Sequence, residues 1–215
     1  MVAAQRRRER RTKLAWRAGL GLLAVVGAAF LVWIATSSPS GSSSSAAGAA
    51  ATPNGYGTSG TPPWPAPTDP AAGVKAAGLT LSNSEGAAQH FHTHLDVLVN
   101  GTPVPVPADL GVDQSGGRLA ALHTHDASGV LHIESPNPNA HYILGQLFNE
   151  WNVRLDQSSI GGLTADAGNP LAVYVNGRKV EGNPAALPLQ EHAEIALVYG
   201  PPTAPPPATY NFGKL

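Results

Sequence analysis

"YILGQLFNEWNVRL", Tyr142 to Leu155, is the stretch on which the reading of the fold turns. Ile143, Leu144, Leu147, Phe148 and Trp151 recur at the spacing of one helical face, which predicts a short amphipathic helix. The sequence on either side alternates instead. "LHTHDASGVLHIES" (122–135) sets Asp126-Ala127-Ser128-Gly129 between two alternating runs, with Asp first and Gly last as a type I turn prefers. "HLDVLVNGTPVPVP" (94–107) and "LAVYVNGRKV" (171–180) each join two runs through Asn-Gly, the commonest short hairpin turn. Prolines at 103, 105 and 107 assign the return strand of the first hairpin to a sheet edge, where missing donors cost least. "HAEIALVYG" (192–200) reads as a last strand. One helix among hairpins makes an α+β domain.

The order from Leu119 onward, hairpin, helix, strand pair, final strand, resembles the β-grasp fold. "LGQLFNEWNV", "LAVYVNGRKVEG" and "LQEHAEIALVYG" are similar to the helix, strand and last strand of ubiquitin-like sulfur carriers. The resemblance implies a β-grasp-like mixed sheet with one main helix, to which the first hairpin is an added N-terminal β-hairpin. Those carriers end in Gly-Gly, whereas this chain continues as "YGPPTAPPP", so sulfur transfer is not implied. "HTHDASGVLHIES", "LGQLFNEWNVRL" and "VYVNGR" together resemble a family of membrane-anchored, exported bacterial proteins. That likeness implies one intact exported domain and no particular activity.

Working outward, residues 201–215 are Pro-rich and predict a disordered tail. Residues 36–88 are mostly Ser, Gly, Ala, Thr and Pro, which predicts a flexible tether with a reach of about 40 Å. Trp64 is its one large aromatic feature. Residues 18–35 carry no charge and are about long enough to span a bilayer core as a helix. Arg6, Arg7, Arg8, Arg10, Arg11, Lys13 and Arg17 precede them in a basic segment, 1–17. Basic residues stay on the cytoplasmic side, so the domain at 89–200 is expected outside, on a single-pass anchor in the cell membrane. A cleaved signal peptide is the rival reading. A twin-arginine export signal fits the residues after the arginine pair poorly.

The net charge of −1 hides an asymmetry. Beyond residue 17 the chain holds 6 basic and 13 acidic residues. An acidic exterior argues against nucleic acid as partner and suits a cation. With no cysteine, disulfides, thiolate metal sites, iron–sulfur clusters and thiol catalysis are excluded.

All 8 histidines fall between residues 90 and 192. Alternate residues of a strand share a face. His90, His92, His94 and Asp96 therefore oppose Phe91, Leu95, Val97 and Val99. In the second hairpin the turn sets His123 opposite His132, so His123, His125, His132 and Glu134 share one face while Leu122, Leu131 and Ile133 take the other. If the hairpins are neighbours, the imidazoles converge. The candidate metal ligands are His92, His94, His123 and His125, then His132 and Asp126, with Asp126 equally explained as the first residue of its turn. His90 is set aside as a strand end, and His141 and His192 as structural or surface residues. Imidazole with carboxylate and no sulfur suits a divalent transition metal, zinc or copper first. Such a site is expected to lose affinity as pH falls through about 6.5, where free imidazoles gain protons.

The leading functional reading is a membrane-anchored extracytoplasmic domain that binds a divalent transition metal, with the lipid bilayer and a membrane or cell-surface protein as further partners. A metal-dependent enzyme using a His/carboxylate site is the alternative, although no nucleophile or base motif is evident beyond the ligands. A metal-free protein-interaction domain, its histidines forming a hydrogen-bonded polar face, is the third.

Overall fold

Strand β1 (Gln89–Val99) organises the fold. The computed structural model describes residues 56–201 and 204–215, all within one unit. The chain enters through helix α1 (Pro70–Ala76) and passes through β1 and β2 (Thr102–Val104). Four short strands follow: β3 (Val112–Asp113), β4 (Arg118–Leu119), β5 (Leu122–His123) and β6 (Val130–Ser135). Then come helix α2 (Leu144–Glu150), the β7 (Ser159–Ile160) and β8 (Leu163–Thr164) pair, β9 (Leu171–Val175), β10 (Arg178–Val180), a 3-10 turn (Pro184–Ala186) and β11 (Glu194–Tyr199). The result is a mixed α+β architecture.

The main sheet runs β10-β9-β11-β1-β6-β5, with β2 on the second half of the β1 edge that β6 occupies over the first half. β1 and β11, at the centre, are parallel, and the other pairs are antiparallel. Both Asn-Gly turns form as expected: Asn100 and Gly101 have φ of 51° and 77°, and Asn176 and Gly177 have 50° and 73°. Positive φ at both central positions is what the twist of a two-residue hairpin requires.

One expectation is corrected here. The first hairpin is not an addition to the sheet. Its first strand is long enough to pair along both edges and so becomes the centre, while the return strand shrinks to three residues at an edge because Pro103 and Pro105 cannot donate to a ladder.

Alternation decides what each face buries. Leu95 and Val97 of β1, Leu131 and Ile133 of β6, Leu122 of β5, and Ile195 and Leu197 of β11 point toward α2, where Leu144, Leu147, Phe148 and Trp151 meet them. Burying one such side chain contributes about 1.5–3 kcal/mol. All seven residues of α2 are buried, which a one-faced amphipathic helix would not be, because α1 covers its outer side. The helices approach closely at Gly73, where a Cβ would lie 2.6 Å from the Glu150 carbonyl oxygen. Gln146 Nε2 and Asn149 Nδ2 donate to the Ala77 and Ala76 carbonyls at 3.1 Å each, satisfying acceptors that the end of α1 leaves open.

The tether expectation is therefore corrected over 56–88. Asp69 caps α1 by accepting from the Ala72 amide at 3.0 Å. Trp64 is buried against Trp151 in an edge-to-face pair with centroids 5.9 Å apart. Thr58 bonds the Asn152 carbonyl at 2.8 Å. Composition suggested a chain unable to bury enough surface to order itself; Trp64, Val74 and Ala77 are buried and backbone bonds tie the segment to the domain. The tail expectation is corrected in the same way. Ala204–Pro207 lie with Leu98, Tyr174 and Val198 around a cavity of about 220 Å³ on the sheet face opposite α2. All six residues of β11 are consequently buried, on both faces.

The basic segment 1–17, the run 18–35 and residues 36–55 lie outside the described residues. Among the described residues no helix is long and apolar enough to cross a membrane.

Candidate metal centre

Three strands bring the histidines together. The β1–β6 register sets His90 opposite Glu134 and His92 opposite His132, and the β5–β6 register sets His123 opposite His132. Directly opposed residues point the same way, so His92, His132 and His123 form one row across the sheet, on the face away from α2. His125, just after β5, turns back onto the row. Its ring lies 4.4 Å from that of His132, and the His92 and His132 rings are 4.5 Å apart.

The ring nitrogens of His123 are assigned by their partners. Nδ1 is 2.9 Å from the Ala120 carbonyl oxygen. A carbonyl can only accept, so Nδ1 carries the proton and Nε2 offers its lone pair inward. A backbone acceptor behind the ring is a common way to fix a metal-ligating tautomer. His123 Nε2 is 3.2 Å from His125 Nε2, and His92 Nε2 is 3.1 Å from His132 Nδ1. Zinc–nitrogen bonds of about 2.0–2.1 Å at the tetrahedral angle place two ligand nitrogens about 3.3 Å apart. The His123–His125 spacing, a hydrogen bond without metal, is thus close to that of two ligands sharing an ion.

His123, His125, His132 and Glu134 present ligand atoms that all lie within 4.8 Å of one another, a group placed to hold a metal ion. Glu134 is buried, and its Oε2 has no hydrogen-bond partner. A buried carboxylate oxygen left unpaired is costly, and a cation would satisfy it. Imidazole and carboxylate together are a suitable donor set for a divalent transition metal.

Electrostatics favours the metal-ready protonation state. Burial, followed by the surrounding histidines, lowers the pKa of His132 to about 3. Burial, with the neighbouring rings adding to it against the Ala120 carbonyl, lowers that of His123 to about 4. Burial, then His90, lowers His92. Neutral rings need shed no proton before ligation. For His123 and His132, proton competition therefore begins near pH 3–4, below the 6.5 expected from free imidazole. Burial and the nearby Glu85 raise the pKa of Glu134.

The linkage sign follows from the depressed values. Below 6.5 the unfolded chain binds protons that His123 and His132 refuse, so their contribution to stability falls as pH drops from 6.5 toward 4. Glu150, wholly buried with both oxygens unpartnered, has its pKa raised well above the usual by burial. It acts with the opposite sign, stabilising toward acid, so net stability does not isolate the histidines. Ring chemical shifts of the chelator-treated protein do. The His123 and His132 rings should stay neutral on titration from pH 7 to 5. A midpoint near 6.5 for either ring would contradict the burial argument.

His94 and Asp126, two of the expected ligands, are not brought into this group; His94 instead meets Asp96 and Glu194 in a separate group that could hold an ion. His94 Nδ1 lies 2.7 Å from Glu194 Oε2 and its Nε2 2.8 Å from the Ser128 carbonyl. Burial disfavours its charge, but the Glu194 bond and the Ser128 carbonyl outweigh it and raise the pKa. Tyr210 stacks on the ring with centroids 3.8 Å apart, an arrangement that suits a cation. Asp126 is exposed and accepts from the Ser128 amide at 2.9 Å, closing its own turn. His141 and His192 are exposed, and His192 packs on Phe212.

Two residues left off the candidate ligand set belong to the constellation. Strand alternation already put Glu134 on the histidine face. His90, set aside as a frayed end, is held because β1 starts at Gln89 and the Ala88 amide continues the pairing to the Ser135 carbonyl at 3.1 Å. Its ring Nε2 is 3.3 Å from Glu134 Oε1. No protein-family model, curated protein or solved structure matches this chain.

Proposed function

We propose that this chain is a membrane-anchored extracytoplasmic module that binds a divalent transition metal. The observation that carries the reading is the meeting of His123, His125 and His132 with Glu134, whose buried Oε2 has no protein partner. The neutral rings, the inward-facing Nε2 of His123 and the absence of cysteine favour a borderline metal such as zinc or copper. The one-sided charge around residues 18–35 supports the anchor and the outward orientation, and makes the lipid bilayer a second partner. The sequence likeness to membrane-anchored exported bacterial proteins points the same way.

The β-grasp reading belongs to this proposal. Its support is the mixed order β6-β1-β11-β9-β10, with the first and last strands parallel at the centre and α2 packed across one face. Fold likeness of this kind carries no activity by itself. Delivery of the metal to a membrane or cell-surface partner fits the tethered geometry, and is secondary to binding itself.

The direct test is a zinc and a copper titration of the chelator-treated chain at neutral pH. Binding at micromolar or lower metal and a rise in melting temperature are expected, since a ligand of the native state stabilises by mass action. Failure of both metals to bind would return the histidines to a hydrogen-bonded polar face.

A further inference from the structure

The group His123, His125, His132 and Glu134 leaves two neighbouring imidazoles over. His90 and His92 present ligand atoms within 4.8 Å of each other and of Glu134, a second triad that shares its carboxylate with the first group. Five imidazoles and one carboxylate exceed the four ligands that a tetrahedral ion takes.

The register explains the layout. His90 and Glu134 form one cross-strand pair, and His92 and His132 the next pair on the same face. The two groups therefore span the same two consecutive rows of the sheet, His90 and Glu134 in one and His92, His132 and His123 in the next. Glu134 Oε1 lies 3.3 Å from His90 Nε2 and 3.7 Å from His132 Nδ1, while its Oε2 is buried and unpartnered. A carboxylate that touches ligands of both groups and keeps one oxygen free is disposed to bridge. Paired ions in such centres sit about 3.5–4 Å apart.

Glu134 also lines a cavity of about 120 Å³ with Ser82, Ser84 and Glu85. No lysine or arginine is among the cavity's lining residues. Two carboxylates facing one cavity without a basic neighbour attract cations, and give a second ion a path to the shared ligand.

We propose that the centre is dinuclear: one divalent ion on His123, His125 and His132, a second on His90 and His92, and the Glu134 carboxylate bridging them. This rests on the metal-binding reading above and extends it.

The probe is Co²⁺, added to the full-length chain after chelator treatment, with bound metal counted by equilibrium dialysis. The wild-type chain should bind two equivalents. His90→Ala should keep the first and weaken the second at least tenfold; the His90 side chain is 57% exposed, so its loss leaves the fold in place. His125→Ala should weaken the first instead. One equivalent in the wild type, unchanged in His90→Ala, overturns the dinuclear centre and leaves a single-ion site standing. Two equivalents that His90→Ala does not disturb place the second ion elsewhere and overturn the assignment. No bound cobalt overturns the dinuclear centre, and the zinc and copper titration above decides the metal-binding reading separately.

Discussion

Replacing His123 and His125 together by alanine should remove the part of the zinc-dependent rise in melting temperature that comes from the ion on His123, His125 and His132. Zinc at about 100 times the dissociation constant of that ion should add about 2.7 kcal/mol of stability to the wild-type chain, an increment the double variant should lose. Strand alternation alone would let both substitutions leave the fold untouched. The structure separates them. His123 is fully buried and donates from Nδ1 to the Ala120 carbonyl, so His123→Ala should also cost about 1–3 kcal/mol in the metal-free protein by orphaning that acceptor. His125 is exposed, so His125→Ala should shift metal-free stability by less than about 0.5 kcal/mol while weakening zinc binding. Denaturant midpoints with and without zinc measure both quantities. A double variant still stabilised by zinc to the wild-type extent would remove these rings from the site.

Trp64→Ala should destabilise the domain by about 3–5 kcal/mol, the cost of truncating a large buried aromatic. The indole packs edge-to-face on Trp151, and its own backbone carbonyl accepts from Trp151 Nε1 at 3.1 Å. Its Nε1 donates to the Gly60 carbonyl at 2.9 Å, and Gly60 in turn accepts from the Gly162 amide at 2.7 Å. Room for the ring depends on Gly161, where a Cβ would lie 2.6 Å from it. A tryptophan in a flexible tether would change stability by less than about 0.5 kcal/mol. Urea unfolding of the two proteins decides between these outcomes.

Much of the candidate site follows from strand period and turn chemistry. Alternation puts His90, His92 and His94 on one face of their strand, and His123, His132 and Glu134 on one face of the next hairpin. The turn at Asp126–Gly129 already implies that His123 meets His132, and the structure has that pair. The helix around Leu147 and Phe148 follows from apolar spacing, and both Asn-Gly hairpins from the need for positive φ. Each of these is a local property, settled by residues a few positions apart.

What local pattern leaves open is which strands become neighbours. Nothing in "QHFHTHLDVLV" says that its first half lies beside β6 and its second beside β11. That pairing makes His92 the neighbour of His132 and hands His94 to Glu194, 100 positions away in sequence. Adjacent alternate histidines on one strand thus acquire different surroundings from their cross-strand partners: His92 borders the candidate metal-ligand cluster, and His94 meets Glu194 under Tyr210. Composition similarly misjudges 56–88 and 204–215, because a segment with few apolar residues of its own can still order itself on a surface that another part of the chain supplies. The sequence by itself determined the main hairpin strands, the helix around Leu147 and which residues share a face, but not α1. Only the tertiary structure decided which imidazoles share a site, because long-range pairing is chosen by the burial of the whole sheet and not by the segment that carries the histidines.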